Sequence, residues 1–254
     1  GHTQAPTGSS VFNASLGLLS LLSLSDGERN SALGYNAGQK INTGSDNIAV
    51  GYNTLSRLKQ GKNNIAIGNG AAAIMEQGED VVAIGKDAGA SIAPDKTFFQ
   101  SVYIGNSSGE AVTTGADNTY IGHGSGSQTT TSDGNIVIGS GAEISTPTST
   151  GGEIVIGVGA VGHSKSVAVI GNTGIEGIHP GNPTTCDLGS PNFKFKDSYI
   201  GNIFSNVTAT PPATATSPGT PGQVVFGTSG LSAYIYVCIS TDTWRRVELN
   251  ESSW

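Results

Sequence analysis

A short alternation of polar and apolar positions recurs along much of the chain. Its clearest forms are Asn47-Ile48-Ala49-Val50-Gly51 and Asn64-Ile65-Ala66-Ile67-Gly68. Upstream the same phrase is Asn30-Ser31-Ala32-Leu33-Gly34. Downstream it becomes Val81-Val82-Ala83-Ile84-Gly85, Ser101-Val102-Tyr103-Ile104-Gly105, Asn118-Thr119-Tyr120-Ile121-Gly122, Asn135-Ile136-Val137-Ile138-Gly139, Glu153-Ile154-Val155-Ile156-Gly157 and Val167-Ala168-Val169-Ile170-Gly171. Apolar residues hold the second and fourth places, which is the period of two of a β-strand. Each strand is short and ends on a glycine, the residue suited to a sharp bend at positive φ.

Aligned on that glycine, the phrases form nine rows, with gaps of 17, 17, 17, 20, 17, 17, 18 and 14 residues. A second glycine often follows ten residues after the first, at Gly44, Gly61, Gly78 and Gly115. One row is therefore a short strand, a corner, a second extended segment and another corner. A single row cannot bury its own apolar side. Stacked at about 4.8 Å per layer, the rows pair strand on strand, giving an all-β parallel solenoid roughly 40 Å long. The Ile and Val residues of the phrase are expected inside it and the glycines at its corners. The middle place is Ala32, Ala49, Ala66, Ala83, Tyr103, Tyr120, Val137, Val155 and Val169, and it never carries a charge. That face is either a second layer of the chain's own core or a subunit interface in a narrow oligomer. The opening asparagines suit either stacked amide ladders or ordinary turns.

The phrase Asn-Ile-Ala-Ile-Gly-x-x-Ala resembles the head repeat of YadA-like trimeric adhesins, over residues 30–175. That resemblance implies a left-handed parallel β-roll with three chains side by side. The family's usual row has fourteen residues, whereas most rows here have seventeen. Rows of that length resemble those in tail and fibre proteins of phages and other viruses. The implied protein is a homotrimeric, non-enzymatic viral fibre, exposed on the virion. It would bind a host cell-surface receptor, a glycan in the first place, and join other virion proteins at its N-terminal end.

The flanking segments differ in character. Residues 1–28 include Val11, Phe12, Leu16, Leu18, Leu19, Leu21, Leu22 and Leu24, too short a run to span a membrane. They are expected to form an apolar cap or attachment plug where three chains meet, with an amphipathic helix as the alternative. The solenoid is assigned to residues 29–180. A longer row there carries an insertion at Pro94-Asp95-Lys96-Thr97-Phe98-Phe99, expected as a surface loop. Residues 181–207 form a connector in which Leu188-Gly189-Ser190-Pro191 and Phe193-Lys194-Phe195-Lys196-Asp197 resemble a segment common near the ends of phage tail fibres. Residues 208–222 are a Pro/Thr linker. Residues 223–254 read as a small β module of three strands, at 223–227, 233–239 and 243–249. So small a module is expected to need oligomerisation.

Composition narrows the function classes. Charged residues are 12% and glycines number 38 of 254, which favours many tight turns over a helical enzyme. A net charge of −7 with few basic clusters makes nucleic acid an unsuitable partner. Cys186 and Cys238 form neither a disulfide framework nor a metal motif, and both are expected as free thiols. Gly105-Asn106-Ser107-Ser108-Gly109 matches a nucleophile elbow, and Gly157 to Gly162 a dinucleotide fingerprint, each without the required helix. His123, His163 and His179 lack metal-ligand spacing, so no metal or cofactor is expected. Glu76, Glu79, Asp80 and Asp87 are the carboxylates that a glycan-cleaving tailspike would use, and they equally suit a solvated corner. Tyr234, Tyr236, Trp244, Arg245, Arg246 and Trp254 concentrate the residue types of binding hot spots and are the receptor-site candidates. Phe98 and Phe99 are the second candidates.

Overall fold

The computed structural model describes residues 12–93, 100–148, 152–172, 174, 224–229 and 232–249. The chain divides into two units, Gly1–His179 and Pro180–Trp254. Phe98, Phe99, Trp254, His179, Cys186, the connector and the linker lie outside the described residues.

The first unit is a β-solenoid. Its strands are β1 (Ala14–Leu16), β2 (Ser31–Leu33), β3 (Ile48–Val50), β4 (Ile65–Ile67), β5 (Val82–Ile84), β6 (Val102–Ile104), β7 (Thr119–Ile121), β8 (Ile136–Ile138), β9 (Ile154–Ile156) and β10 (Ala168–Ile170). All ten form one sheet in chain order, and every pair is parallel. Equivalent phrase positions pair across rows, as in Ile48↔Ile65, Ala49↔Ala66 and Val50↔Ile67.

The N-terminal apolar run is part of this solenoid. Asn13-Ala14-Ser15-Leu16-Gly17 is a tenth row, one period before Gly34, and its strand pairs with β2. It forms no helix among the described residues. Leu21 and Leu24 turn into the core of the roll. A serine at the middle place hid the phrase.

The expected direction of the strand faces is reversed. Ala32, Ala49, Ala66, Ala83, Tyr103, Tyr120, Val137 and Val155 point inward and are buried. The flanking Ile and Val residues point outward. The middle places are thus a layer of the chain's own core. The second segment of each row supplies the opposite wall through Ile41, Leu58, Met75, Ile92 and Val112, all fully buried. Volume decides this choice, because interiors fill to crystal-like density. Large residues on one wall leave room only for Ala on the other. Where the sheet carries tyrosines, the facing chain thins to glycine: Tyr103 lies against Gly89 and Gly109, and Tyr120 against Gly126.

The glycine corners are as expected. Gly34, Gly51, Gly68, Gly85, Gly105 and Gly122 all have φ between +133 and +137. A Cβ on Gly68 would drive into the Gly85 carbonyl of the next row. The residues just before the opening position of a row, Arg29, Asp46, Asn63 and Asp80, are left-handed.

The asparagines form a buried ladder. Asn47 Nδ2 donates to Asn30 Oδ1 and to the Gly61 carbonyl, each at 2.9 Å. Asn47 Oδ1 in turn accepts Asn64 Nδ2 at 2.9 Å and the Asn64 backbone N–H at 3.2 Å. At the C-terminal end Glu153 takes the asparagine's place. Its N–H donates to Asn135 Oδ1, and its carboxylate accepts the N–H and Oγ of Ser145.

The second unit holds β11 (Val224–Ser229), β12 (Ser232–Ser240) and β13 (Thr243–Leu249), an antiparallel sheet in chain order. The three strands lie where the alternation places them.

Candidate functional site

Outward turning of the phrase leaves a continuous apolar face on the solenoid. One column of it runs Ile48, Ile65, Val82, Val102, Thr119, Ile136 and Ile154; the other runs Leu16, Leu33, Val50, Ile67, Ile84, Ile104, Ile121, Ile138, Ile156 and Ile170. Ile48, Ile67, Ile121, Ile136, Ile138, Ile154 and Ile156 are 36–39% exposed, so neighbours in the ladder cover much of each while part of each outer surface stays open. No position in either column is charged. Soluble monomers rarely expose a contiguous apolar patch beyond a few hundred Å². An in-register ladder rich in β-branched residues is also a surface that packs well against another sheet.

The apolar face widens toward the N-terminal rows. Leu18, Tyr35 and Tyr52 are exposed one residue past the corner glycine. The Tyr35 and Tyr52 rings stack at 5.4 Å and 13°. One face of each ring is covered by the other, and both residues remain exposed.

The outer side of the opposite wall is polar. Lys40, Asn42, Thr43, Arg57, Lys59, Gln60 and Lys62 are exposed there, flanking the buried Ile41 and Leu58. Charges at the corners pair between rows. Arg29 bridges to Asp46 at 2.6 Å and to Glu28 at 2.6 Å, and Lys59 bridges to Glu76 at 2.6 Å. Hydrogen bonding to Arg29 holds the Asp46 carboxyl below its usual range, and the same bonds raise the guanidinium. Burial pushes the Tyr103 hydroxyl up to about 12 and raises Tyr120 as well.

In the second unit, Tyr236, Cys238 and Trp244 form a buried cluster, so two of the receptor-site candidates are core. Alternation puts Tyr234 on their side, half-buried, with Arg246 over its ring at 4.6 Å. Arg245 is exposed and pairs in register with Val237, on the other face. A module this small uses its large aromatics to build an interior first.

The enzyme-like motifs form no site among the described residues. Ser107 lies at a left-handed corner, with its Oγ on Asn106 Oδ1, and no helix follows. Glu76 is paired with Lys59, Lys86 lies 3.4 Å from Asp87, and Asn63 donates to Asp80. No group of three or more metal-binding side chains occurs among the described residues, and His123 and His163 stand apart.

The outer Ile/Val face was the feature to find in the sequence. Its signal was present, because a column that stays Ile or Val over eight rows, from Val50 to Ile170, is more uniform than a packed interior requires. Comparison with known proteins adds no identity: no family model, curated protein or solved structure matches this chain.

Proposed function

We propose that this chain is part of a non-enzymatic attachment fibre of a virus, a phage tail fibre by its resemblance. Three copies stand side by side with their outer Ile/Val faces turned toward a common axis. The observation that carries this reading is the uncharged outer ladder from Leu16 to Ile170. Burial of such a face releases roughly 25 cal/mol per Å² of apolar area. A second copy offers a ladder of the same spacing, so each row can meet its equivalent. The fibre is extracellular on the virion, its N-terminal end joins other virion proteins, and it holds a host-surface glycan. Contact at the C-terminal module falls to Tyr234, Arg245 and Arg246, because Tyr236 and Trp244 are occupied in the module's interior.

Light scattering on the full chain is the test. The expected result is three times the chain mass, falling to one when Ile67→Glu and Ile121→Glu are combined. A folded monomer, or a trimer that survives both charges, overturns the reading.

A further inference from the structure

We propose that the polar wall of the solenoid carries an anion-binding site, centred on Lys40 and Arg57, that takes the carboxylates of an acidic polysaccharide. The two residues occupy the same place in successive rows, six residues past Gly34 and six past Gly51. Backbone hydrogen bonds bracket them: Gly38 N–H to the Thr54 carbonyl at 2.9 Å, and Asn42 N–H to the Lys59 carbonyl at 3.0 Å. Two like charges are therefore held one layer apart, about 4.8 Å at the backbone. Like charges directly opposed in a sheet are unfavourable.

Elsewhere the rows match their charges. Arg29 stacks on Asp46 and Lys59 on Glu76, both at the seventeen-residue period. Lys40 and Arg57 are the only like-charged pair at that period among the described residues, and neither makes an ion pair there. Their column offers no acid to neutralise them, with Ser23 in the row before and Ile74 in the row after. Exposed Asn42, Thr43 and Gln60 flank them with donors and acceptors suited to sugar hydroxyls. Two cations one layer apart can share a carboxylate of a sugar chain through charge-assisted hydrogen bonds. A net charge of −7 opposes densely charged polymers such as nucleic acid.

The site deepens the attachment reading and rests on it for its biological use, yet it lies within one chain and does not need the trimer. The test is binding of the full chain to hyaluronan, with dextran and duplex DNA as the other arms. Hyaluronan is expected to bind, more weakly as salt rises, and dextran is not. Lys40→Gln with Arg57→Gln should weaken hyaluronan binding at least ~10-fold. Lys165→Gln, an exposed cation elsewhere on the solenoid, should leave it unchanged. The double variant should melt no lower than the parent and keep its mass in light scattering, which separates loss of the site from loss of fold or assembly. The proposal is overturned if hyaluronan does not bind, if the double variant binds as the parent does, or if DNA binds as well as hyaluronan.

Discussion

Ala66 and Ile67 are consecutive residues of β4 and lie on opposite sides of its backbone: Ala66 is 1% exposed inside the solenoid, and Ile67 is 38% exposed outside it. A glutamate has opposite consequences at the two places. Ala66→Glu puts an unpaired charge and several extra atoms into a packed interior, and the solenoid should fail to fold. Ile67→Glu leaves the interior untouched and should give a folded chain impaired only in assembly. Circular dichroism and light scattering on the two variants check this contrast. Equal unfolding by both would contradict the assignment of faces.

Gly68 tests the corners. Its φ of +134 is a conformation that side chains rarely adopt, and a Cβ there meets the Gly85 carbonyl. Gly68→Val should cost at least ~3 kcal/mol through strain and clash together. A denaturation midpoint equal to the parent's would refute the stacked-glycine corner.

These two sites also show what the chain makes legible before folding. The period, the strands and the corners could be read, because Gly68 and its equivalents recur at fixed spacing. The sense of the faces could not. Alternation separates Ala66 from Ile67 but does not say which faces inward. That choice depends on the volume of Ile41, Leu58 and Met75, which reach the same interior from the opposite wall. Asn47 was ambiguous for a similar reason: a turn residue and a ladder residue look alike until Asn30 and Asn64 are brought above and below it. In the C-terminal module, Tyr236 and Trp244 have the composition of a binding surface and the burial of a core.

The amide ladder should matter more than an ordinary turn. Asn47→Ala removes donors to Asn30 Oδ1 and the Gly61 carbonyl, and the acceptor of the Asn64 N–H, all in a buried setting. Stranding buried polar groups at ~1–3 kcal/mol each predicts a loss of at least ~3 kcal/mol. Asn36→Ala, at a half-buried corner with one side-chain bond to Asn53, should cost about 1 kcal/mol. Chemical denaturation of both variants gives the comparison, and equal losses would count against the ladder.

Glu143 sets an expected pH dependence. Burial raises its carboxyl above the usual range, opposed by hydrogen bonds from Ser127 Oγ and the Gln128 N–H. The folded state therefore holds this proton more tightly than the unfolded chain does. Its penalty is fully present above the raised folded value and is relieved as pH falls through that value toward the ordinary one. Glu143→Gln should raise the melting temperature at neutral pH and flatten this part of the pH profile. Identical profiles for variant and parent would show that Glu143 is not the group responsible.

The central claim is that copies meet through the outer Ile/Val face. Single spin labels on a cysteine-free background (Cys186→Ser, Cys238→Ser) address it, one at Ile121→Cys on that face and one at Arg57→Cys on the polar wall. Packed sheets lie about 10 Å apart, so dipolar spectroscopy should find labels at position 121 close across copies and labels at position 57 well separated. Close labels at position 57, or no intermolecular coupling at position 121, would contradict the account.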